Sequence, residues 1–408
     1  MLTQAVILCG GPGTRLGELT ASMPKPMLSV AGRPFLEILI QEAARFGFTD
    51  IVLLAGYSGT QISGYFHGRT MFRAQIRVCV EPAPRGTGGA LRDARPALAP
   101  EFLLMNGDSW IDADLRSFAG TWEHAKAQAG SVVAQMLLHE VSDAGRFGIV
   151  ETVGARVTAF REKDTAAAAH PGVINSGVYV FRREFVDSIR DGASISLETE
   201  ALPLAIADGK VRAVQTKDGT YFVDIGVPES YARAQSEVPT VRSRPAVFFD
   251  RDGTLNIDTG YTHRVEDLRW NPEAREAVAF ANARGCYVFV VTNQAGVAKG
   301  VFSEEAILEF HAAMQADLFE IGAHIDAIEW CPHHMEATIE RYRRDCPRRK
   351  PAGGMLAHLV ASWPIDLQQS VMIGDSAVDM AAAASVGVRG VRYGDGSLLA
   401  LLRDALGG

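Results

Sequence analysis

The sequence predicts an α/β protein of two domains, each built on a mostly parallel β-sheet. The chain has 408 residues, more than a single hydrophobic core normally serves. Short apolar runs alternate with segments of helical periodicity, and the alternation restarts after a polar stretch that contains two prolines. We therefore expect a first domain at residues 1–236, a linker at 237–245 and a second domain at 246–408.

The elements of the first domain follow from its apolar pattern. Residues 5–9 form an apolar run typical of a buried strand, and residues 51–55 and 102–105 give two more. Residues 34–46 place apolar side chains at helical spacing, and Gly47 follows as a natural C-terminal cap. Strands that alternate with helices predict parallel pairing, because parallel neighbours need a long crossover connection.

The second domain repeats this pattern. Strands are predicted at residues 246–249, 287–291 and 371–373. A helix is predicted at residues 273–284, where Gly285 closes it. The second domain is therefore expected to have the same class of sheet as the first.

Composition and charge exclude several classes of partner. The formal net charge of -8 opposes nonspecific nucleic-acid binding, which needs a basic face. The N-terminus lacks a signal-peptide pattern, and no apolar run approaches the ~18 residues that span a bilayer. The 5 cysteines are odd in number and widely spread, which argues against a disulfide framework. We expect a reduced, cytoplasmic protein with small-molecule partners, and a homo-oligomer stays open.

A glycine-rich loop follows the first predicted strand, at Gly10-Gly11-Pro12-Gly13-Thr14-Arg15-Leu16. Glycines let the backbone approach a ligand and point successive N–H groups at an anion. Arg15 adds a cation with bidentate geometry for phosphate oxygens. The loop does not fit the P-loop pattern, which needs Gly-Lys-Ser/Thr. It does not fit the dinucleotide pattern either, because Leu16 stands where the third glycine should be.

Further motifs follow this loop in a characteristic order. They are Pro24-Lys25-Pro26, Gly86-Thr87-Gly88-Gly89-Ala90, Asn106-Gly107-Asp108, Glu162-Lys163, Asn175-Ser176-Gly177 and Asp224-Ile225-Gly226. Together they resemble the sugar-phosphate nucleotidyltransferase family over essentially all of residues 1–236. The resemblance implies a Rossmann-like domain with a mixed sheet.

The same resemblance implies a role for each motif. The residues expected to bind the nucleotide are Gly10, Gly11, Gly13, Thr14, Arg15, Gly86, Thr87 and Gly88. The residues expected to bind the sugar phosphate are Glu162, Lys163 and Asn175. Asp108 and Asp224 would hold Mg²⁺, while Arg15 and Lys25 would neutralise charge on the phosphates. The sugar 1-phosphate oxygen is itself the nucleophile, so catalysis consists of alignment and charge neutralisation.

Within this family, the chain most resembles heptose-1-phosphate guanylyltransferases. The resemblance lies at Pro24 to Met27, Gly32 to Glu37, Glu81-Pro82 and the stretch from Phe222 to Tyr231. Mannose-1-phosphate enzymes are the near alternative. The residues themselves identify no guanine-reading group.

The second domain begins with the motif Phe248-Phe249-Asp250-Arg251-Asp252-Gly253-Thr254-Leu255. Two carboxylates spaced i, i+2 at the end of a buried strand suit covalent phosphoryl transfer. Asp250 would attack phosphorus, and Asp252 would protonate the leaving alcohol and later activate water. A calcium loop would require more acidic residues at regular spacing after Asp252, and those are missing.

Three further elements match the haloacid-dehalogenase superfamily. Thr292 and Asn293 end a strand and would donate to the phosphoryl group, and Arg349-Lys350-Pro351 would supply cations. Asp375, in Ile373-Gly374-Asp375 with Asp379 four residues on, would bind metal. The resemblance implies a three-layer α/β phosphatase domain with a small cap. Its Mg²⁺ ligands would be Asp250, Asp252 and Asp375, and its catalytic residues Asp250, Asp252 and Lys350.

A finer resemblance points to the heptose-bisphosphate and histidinol-phosphate phosphatases. It rests on Gly260 to His263, Thr292 to Gln294 and Cys331 to His334. That subfamily binds zinc through a Cys-x-His…Cys-x-Cys loop, in which Cys331, His333 and Cys346 fit and Arg348 takes the fourth place. Three ligands plus water can hold zinc, or the loop can fold without metal. The residues that could substitute for the fourth ligand are His334, Glu336 and Asp345.

The two resemblances together predict one pathway. The phosphatase would remove the 7-phosphate of D-glycero-D-manno-heptose 1,7-bisphosphate, and the transferase would convert the 1-phosphate with GTP to GDP-heptose and pyrophosphate. A first alternative keeps both chemistries with other substrates, such as mannose 1-phosphate and histidinol phosphate. A second makes one domain an inactive binding or oligomerising module.

Overall fold

The computed structural model describes residues 2–161, 170–191 and 194–407. It divides into two compact units, which are Met1–Val238 and Pro239–Gly408. These are called the first and second units below.

The stretch predicted as an irregular linker is mostly helical, because the helix Pro228–Arg242 continues through Pro239. Glu237 is held within that helix, where its carboxylate accepts hydrogen bonds from the Tyr221 hydroxyl at 2.9 Å and from Arg233 one turn earlier. The helix buries Ala234 and Val238 one turn apart, but most of its other side chains are polar, so its apolar stripe is too narrow for sequence periodicity to detect. The pairing of Arg233 with Glu237 adds support at its surface.

The first unit contains fourteen strands among its described residues. They are β1 Gln4–Leu8, β2 Ser29–Val30, β3 Arg33–Pro34, β4 Asp50–Ala55, β5 Thr70–Met71, β6 Ala74–Val80, β7 Glu101–Asn106, β8 Ser109–Ile111, β9 Ala134–Val141, β10 Ile149–Val153, β11 Arg156–Arg161, β12 Gly172–Arg182, β13 Val211–Gln215 and β14 Phe222–Asp224. Its helices are α1 Phe35–Arg45, α2 Gly59–Phe66, α3 Gly86–Asp93, α4 Leu115–Gln128, α5 Arg183–Ser188, α6 Leu202–Ala207 and α7 Pro228–Arg242, with a π-helix at Leu197–Ala201 and 3₁₀ turns at Thr14–Thr20, Lys25–Met27 and Arg95–Ala97.

Ten of these strands form one mixed sheet, in the order β10-β11-β13-β9-β12-β7-β1-β4-β6-β5. The central strand β1 is parallel to β4 and β7, whereas β12 is antiparallel to β7 and β9. β1 is apolar along nearly its whole length because helices and loops cover both faces of the sheet there. An aromatic stack of Tyr179, Phe181 and Phe185 fills the core beside β12.

The second unit has five strands among its described residues. They are β15 Ala246–Phe249, β16 Tyr287–Asn293, β17 Ala327–Cys331, β18 Val371–Gly374 and β19 Arg389–Arg392. Its helices are α8 Ala274–Ala283, α9 Ala295–Ala298, α10 Glu304–Glu320, α11 Gly354–Ser362, α12 Ala377–Ser385 and α13 Leu398–Ala405, with 3₁₀ turns at Val265–Asp267, Glu340–Tyr342 and Leu367–Gln369.

These five strands form a fully parallel sheet in the order β17-β16-β15-β18-β19. All four residues of β15 are buried, as expected for a central strand covered on both faces. The chain leaves β15, β16 and β18 at the same edge of the sheet, because parallel strands share their carboxyl ends. Residues that follow these three strands therefore meet at one edge.

The predicted α/β class is confirmed, and each predicted strand and helix lies within two residues of an observed one. The main sheet of the second unit is parallel as predicted. The expectation of a mostly parallel sheet is wrong for the first unit, whose main sheet is mixed because β12 and its neighbours pair antiparallel. α1 ends at Arg45, and Gly47 follows with a φ of 82°, the left-handed conformation that glycine adopts without strain. Among the helices of the described residues, none combines the length and apolar character needed to cross a bilayer.

A glycine at the end of β7 gives a test of this packing. A Cβ atom added to Gly107 would lie 2.4 Å from the carbonyl oxygen of Leu8, a backbone atom of the central strand. Gly107→Ala is therefore expected to destabilise the protein by about 1–3 kcal/mol, as overpacking does. The measurement is urea unfolding followed by circular dichroism.

Gly120→Ala is the matched control. Gly120 lies in α4 with no atom within 4 Å of an added Cβ, so alanine there should stabilise the helix by up to about 1 kcal/mol. Equal effects of the two substitutions would contradict the close approach of the strands.

Candidate active sites

The glycine-rich loop leaves β1 and passes close to the next strand's loop. A Cβ atom on Gly56 would lie 2.8 Å from the carbonyl oxygen of Gly10, so both positions depend on the lack of a side chain. Gly13 has a φ of 66° and precedes the 3₁₀ turn that starts at Thr14, and the Thr20 hydroxyl donates to the Gly13 carbonyl at 3.0 Å. The loop is thereby fixed with Thr14 and Arg15 exposed.

A buried lysine and two aspartates form the charged centre of the first unit. Lys25 is 5% exposed, and its Nζ lies 2.5 Å from Oδ2 of Asp108. β14 pairs antiparallel with β8 and sets Asp224 opposite Ser109, next to Asp108. The three predicted residues Lys25, Asp108 and Asp224, far apart in sequence, therefore converge.

Burial raises the pKa of Asp224, and the neighbouring Asp108 carboxylate raises it further, while Lys25 opposes both effects. Gly226 lies against this group, since a Cβ there would meet Asp224 Oδ1 at 2.5 Å and Lys25 Nζ at 2.9 Å. Two adjacent carboxylates with partly compensated charge are suited to bind a divalent cation.

Two cavities adjoin this centre. The first, of about 440 Å³, is lined by Gly10, Gly11, Lys25, Glu81, Gly86, Thr87, Asn106, Asp108 and Glu198, among others. The second, of about 240 Å³, is lined by Arg15, Asn106, Arg146, Phe147, Asn175, Glu198, Phe222 and Asp224, among others. The predicted nucleotide-binding residues Gly10, Gly11, Gly86 and Thr87 therefore line one cavity, and Arg15 and Asn175 line the other.

The remaining predicted nucleotide residues shape the backbone. Gly86 has a φ of 72°, and a Cβ there would lie 2.5 Å from the Ile195 carbonyl oxygen. The Gly88 N–H donates to the same carbonyl at 2.9 Å. The segment before the π-helix is thus pressed against the start of α3.

Glu198 is a residue that sequence reasoning missed. It lines both cavities, and its Oε2 accepts a hydrogen bond from the Thr87 hydroxyl at 2.9 Å. The Thr87 hydroxyl in turn accepts from the Leu197 N–H at 2.8 Å. In the sequence, Glu198 is a single acid after Ser196 and Leu197, with no motif around it, so sequence alone could not identify it as a site residue.

The predicted sugar-binding residues are described only in part. Asn175 lies on β12, where its side chain contacts the Tyr179 hydroxyl and accepts from the Gly177 N–H at 3.1 Å. Glu162 and Lys163 lie outside the described residues.

The second unit places its charged residues at the carboxyl edge of the parallel sheet. Asp250 follows β15, Thr292 and Asn293 end β16, and Asp375 follows β18. The Asp250 N–H donates to the Ile373 carbonyl at 2.9 Å, which ties β15 to β18 at this edge. The strand geometry therefore brings these four predicted residues together.

Lys350 is the cation of this site. It is 3% exposed, and its Nζ lies 2.6 Å from both Asp250 Oδ1 and Asp379 Oδ1. It also donates to the Val291 carbonyl at 2.8 Å. Burial lowers the pKa of Lys350, but the two carboxylates outweigh burial, so its pKa is raised and it stays charged.

Burial dominates the electrostatics of Asp250 and raises its pKa to about 7, against the opposing charge of Lys350. Ligand oxygens of Asp250, Asp375 and Asp379 lie within 4.8 Å of one another. Burial raises the pKa of Asp375, and Asp379 adds to this effect. Such a group of carboxylates can hold a divalent cation.

Asp252 is predicted from the sequence as a metal ligand, but its carboxylate is directed toward Arg251 and Gln294. Both of its oxygens accept hydrogen bonds from Arg251, and Gln294 Nε2 donates to Oδ2 at 2.7 Å. Asp379 takes its place in the carboxylate group of the described residues.

The other predicted phosphatase residues support Lys350. Asn293 exchanges two hydrogen bonds with the Lys350 backbone, at 2.9 and 3.0 Å. Arg349 donates to the His333 carbonyl at 3.1 Å, and Thr292 accepts from Gln294 at 2.9 Å. The loop that carries Arg349 and Lys350 is thus attached to the end of β16.

Cys331, at the end of β17, converges with His333 and Cys346 of the connection that leads to Arg349, with their ligand atoms within 4.8 Å of one another. Burial raises the pKa of the Cys331 thiol to about 11. The Arg348 guanidinium forms an ion pair with Glu329, on the edge strand β17. Three thiol and imidazole ligands therefore fit a zinc ion, and the fourth place of a closed site is not filled by Arg348.

Two family models match the chain. The nucleotidyl transferase model matches residues 4–240, and a HAD-hydrolase-like model matches residues 347–401. The first match covers more than half of the chain.

Individual relatives divide between the two units. A D-glycero-beta-D-manno-heptose-1,7-bisphosphate 7-phosphatase of Rhodopseudomonas palustris is 46% identical over 150 residues, which are 37% of this chain and 83% of the relative. A mannose-1-phosphate guanylyltransferase of Mycobacterium tuberculosis is 35% identical over 236 residues, 57% of this chain and 64% of the relative. The crystal structure of HddC from Yersinia pseudotuberculosis is 29% identical, with a TM-score of 0.50, and covers 58% of this chain and 100% of its own.

The buried Lys350 gives a direct test of the second site. Lys350→Met leaves two adjacent carboxylates without their cation, so the free energy of unfolding is expected to fall by about 3–5 kcal/mol. The measurement is urea unfolding followed by circular dichroism.

Lys299→Met, in the same unit, is the control. The Lys299 side chain is exposed and contacts only Tyr261 among the described residues, through a hydrogen bond to its hydroxyl and a position over its ring, so its loss should cost less than about 1 kcal/mol. Losses of similar size would show that Lys350 does not hold the carboxylates together.

Proposed function

The chain belongs to the nucleotidyl transferase family, and on this premise we propose that it catalyses two consecutive steps of nucleotide-activated heptose synthesis. The second unit removes the 7-phosphate from D-glycero-D-manno-heptose 1,7-bisphosphate. The first unit then joins the heptose 1-phosphate to GMP from GTP, which yields GDP-heptose and pyrophosphate.

One observation carries this proposal: a single chain holds two separate centres in which a buried lysine compensates closely spaced aspartates. Lys25 meets Asp108 in the first unit, and Lys350 meets Asp250 and Asp379 in the second. Only the second centre has a carboxylate at the end of a buried strand with an acid two residues later, the arrangement for covalent phosphoryl transfer. The first centre adjoins two cavities, as a site that aligns two substrates does.

In the phosphatase reaction, Asp250 attacks phosphorus and the bond to the sugar O7 breaks. Asp252 donates a proton to the leaving alkoxide. Water then attacks the aspartyl phosphate and gives its proton to Asp252, which releases inorganic phosphate and restores Asp250. Lys350 is held in place by hydrogen bonds to the Val291 carbonyl and to the Asn293 side chain. Its ammonium group offsets the negative charge around Asp250 in both steps.

In the transferase reaction, the sugar-phosphate oxygen attacks the α-phosphorus of GTP, and the bond to the β-phosphate breaks. The backbone of the glycine-rich loop and Arg15 hold the triphosphate, and Lys25 offsets charge beside it. Glu198 and Asn175 line the cavity of about 240 Å³, which is the one proposed to bind the sugar. No proton transfer is needed, because the attacking oxygen is already ionised.

We propose Mg²⁺ as the cation of both centres, at Asp108 and Asp224 and at Asp250, Asp375 and Asp379. Bound there, it would neutralise phosphate oxygens and orient them for in-line displacement. The cytoplasmic location and an oligomeric state stay predictions from the sequence.

The choice of substrates rests on relatives of both units. Those of the second unit are named for the heptose bisphosphate, and the mycobacterial relative of the first unit is named for guanylyl transfer. The latter is also named for mannose 1-phosphate, which makes a mannose-1-phosphate guanylyltransferase fused to the phosphatase the second candidate.

A product-resolved assay tests the proposal. Purified protein is incubated with the heptose bisphosphate, Mg²⁺ and each of four nucleoside triphosphates, with mannose 1-phosphate and histidinol phosphate as competing substrates. GDP-heptose, phosphate and pyrophosphate in equal amounts are expected. Release of phosphate without a nucleotide sugar, or faster use of mannose 1-phosphate, would refute the heptose assignment.

The two centres are expected to fail independently. Asp250→Asn should lower the rate of phosphate release at least a hundredfold, because it removes the nucleophile of the phosphatase. The rate of guanylyl transfer to heptose 1-phosphate should stay unchanged. Asp108→Asn should have the opposite pattern. Loss of both activities in either variant would contradict two separate sites.

Zinc binding at Cys331, His333 and Cys346 is proposed as a three-ligand site. Arg348→Cys completes the four-ligand pattern, so this variant is expected to retain one zinc per chain through dialysis against a chelator that removes it from the native protein. Metal content is measured by mass spectrometry. Cys331→Ser is the control and should retain no zinc, and equal retention by all three proteins would refute the site.

A further inference from the structure

Arg251 stands between the two catalytic aspartates of the second unit, and the chemistry described above gives it no task. Its side chain is fully buried, with 0% exposure. A buried guanidinium is costly unless most of its donors are satisfied, so its contacts indicate what it holds in place.

The guanidinium grips both oxygens of Asp252. Nη2 lies 2.8 Å from Oδ1 and from Oδ2, and Nε donates to Oδ1 at 3.0 Å. This fork leaves the carboxylate one orientation, because a planar guanidinium and a planar carboxylate align their edges.

The rest of Arg251 is anchored on other segments of the second unit. Nη2 donates to the Thr262 carbonyl at 2.7 Å, and Nη1 lies 3.3 Å from Nε2 of His311. The guanidinium carbon lies 4.7 Å from the centre of the Phe310 ring, a cation–π contact. Thr262 is itself fixed, since its hydroxyl accepts from the Thr259 N–H at 3.0 Å.

Two neutral amides complete the environment of Asp252. Asn256 Nδ2 donates to Oδ1 at 3.1 Å, and Gln294 Nε2 donates to Oδ2 at 2.7 Å. These amides are themselves tied to Ile257 and Thr292, so they can support the carboxylate but cannot set its plane as a fork does. The Asp252 side chain is nevertheless 21% exposed, so one side of it faces solvent and can reach a substrate.

We propose that Arg251 is a positioning residue that orients Asp252 for proton transfer in both halves of the phosphatase reaction. The inference rests on the proposed phosphatase chemistry and not on the identity of the sugar. In the first half, Asp252 gives a proton to the leaving oxygen as the P–O bond breaks. In the second, it takes a proton from the water that attacks the aspartyl phosphate. Both steps require the carboxylate at a fixed angle, while the attack by Asp250 does not.

The test separates these steps by the leaving group. 4-Nitrophenolate leaves without a proton, so phosphorylation of Asp250 by 4-nitrophenyl phosphate does not need Asp252, whereas hydrolysis of the phosphoenzyme does. Arg251→Lys keeps the charge but loses the fork. In stopped-flow experiments it is expected to give a burst of about one nitrophenolate per enzyme, followed by turnover at least tenfold slower than native.

With a sugar phosphate the same variant is expected to show slow turnover and no burst, because the alkoxide needs the proton at the first step. Asp252→Asn should reproduce both patterns. Arg403→Lys, at an exposed arginine on α13, is the control and should behave as native. A burst and a steady state that fall together in folded Arg251→Lys, or a native steady state, would overturn the proposal.

Phe310→Leu provides a second variant in case Arg251→Lys does not fold, which thermal unfolding checks. It keeps most of the apolar bulk but removes the ring under the guanidinium. Phe310→Leu is expected to release about one nitrophenolate per enzyme in the burst and then to turn over several-fold more slowly than the native protein. If its burst amplitude and its steady-state rate both equal those of the native protein, the proposal is overturned. If the native protein hydrolyses neither 4-nitrophenyl phosphate nor the sugar phosphate, the phosphatase assignment fails and the role of Arg251 fails with it. If the native protein turns over and Arg251→Lys shows no selective slowing after the burst, the role of Arg251 alone fails.

Discussion

A buried lysine that compensates closely spaced aspartates is the constraint on which each unit's site depends. Lys350 is nearly inaccessible and lies 2.6 Å from two carboxylates, and Lys25 has the same relation to Asp108. Without the ammonium group, carboxylates at this distance in a buried setting would repel each other and take up protons. The lysines therefore allow acidic residues to stay where a phosphate and a cation can be bound.

The backbone brings these charges together differently in the two units. In the second unit, a parallel sheet directs three strand ends to one edge, so that short segments after β15, β16 and β18 supply the site. In the first unit, the antiparallel pair β8 and β14 sets Asp224 beside Asp108. Both arrangements depend on glycines at close approaches, such as Gly226 against Lys25 and Gly253 against Asp375.

Beyond the charged centres, the two units differ in what surrounds them. The first has cavities lined by glycine backbone and polar side chains. Such cavities suit a reaction in which the protein aligns two substrates and supplies no nucleophile of its own. The second has a densely hydrogen-bonded acid pair, in which Arg251, Asn256 and Gln294 fix Asp252. The number of fixed proton-transfer groups thus follows the chemistry that each unit carries out.

The sequence by itself determined the α/β class, the central parallel strands of each unit's main sheet and the identity of the charged motifs, because buried strands, helix caps and glycine loops leave local signals. It did not reveal the helix through residues 237–242 or Glu198, which is a single acid without a local pattern. It named Asp379 beside Asp375, but only the structure placed the Asp379 carboxylate next to Asp250. Only the tertiary structure decided that Asp252 faces Arg251 and that Arg348 pairs with Glu329. The reason is that the order of residues in the sequence does not show in which direction a side chain points or which charged group it meets.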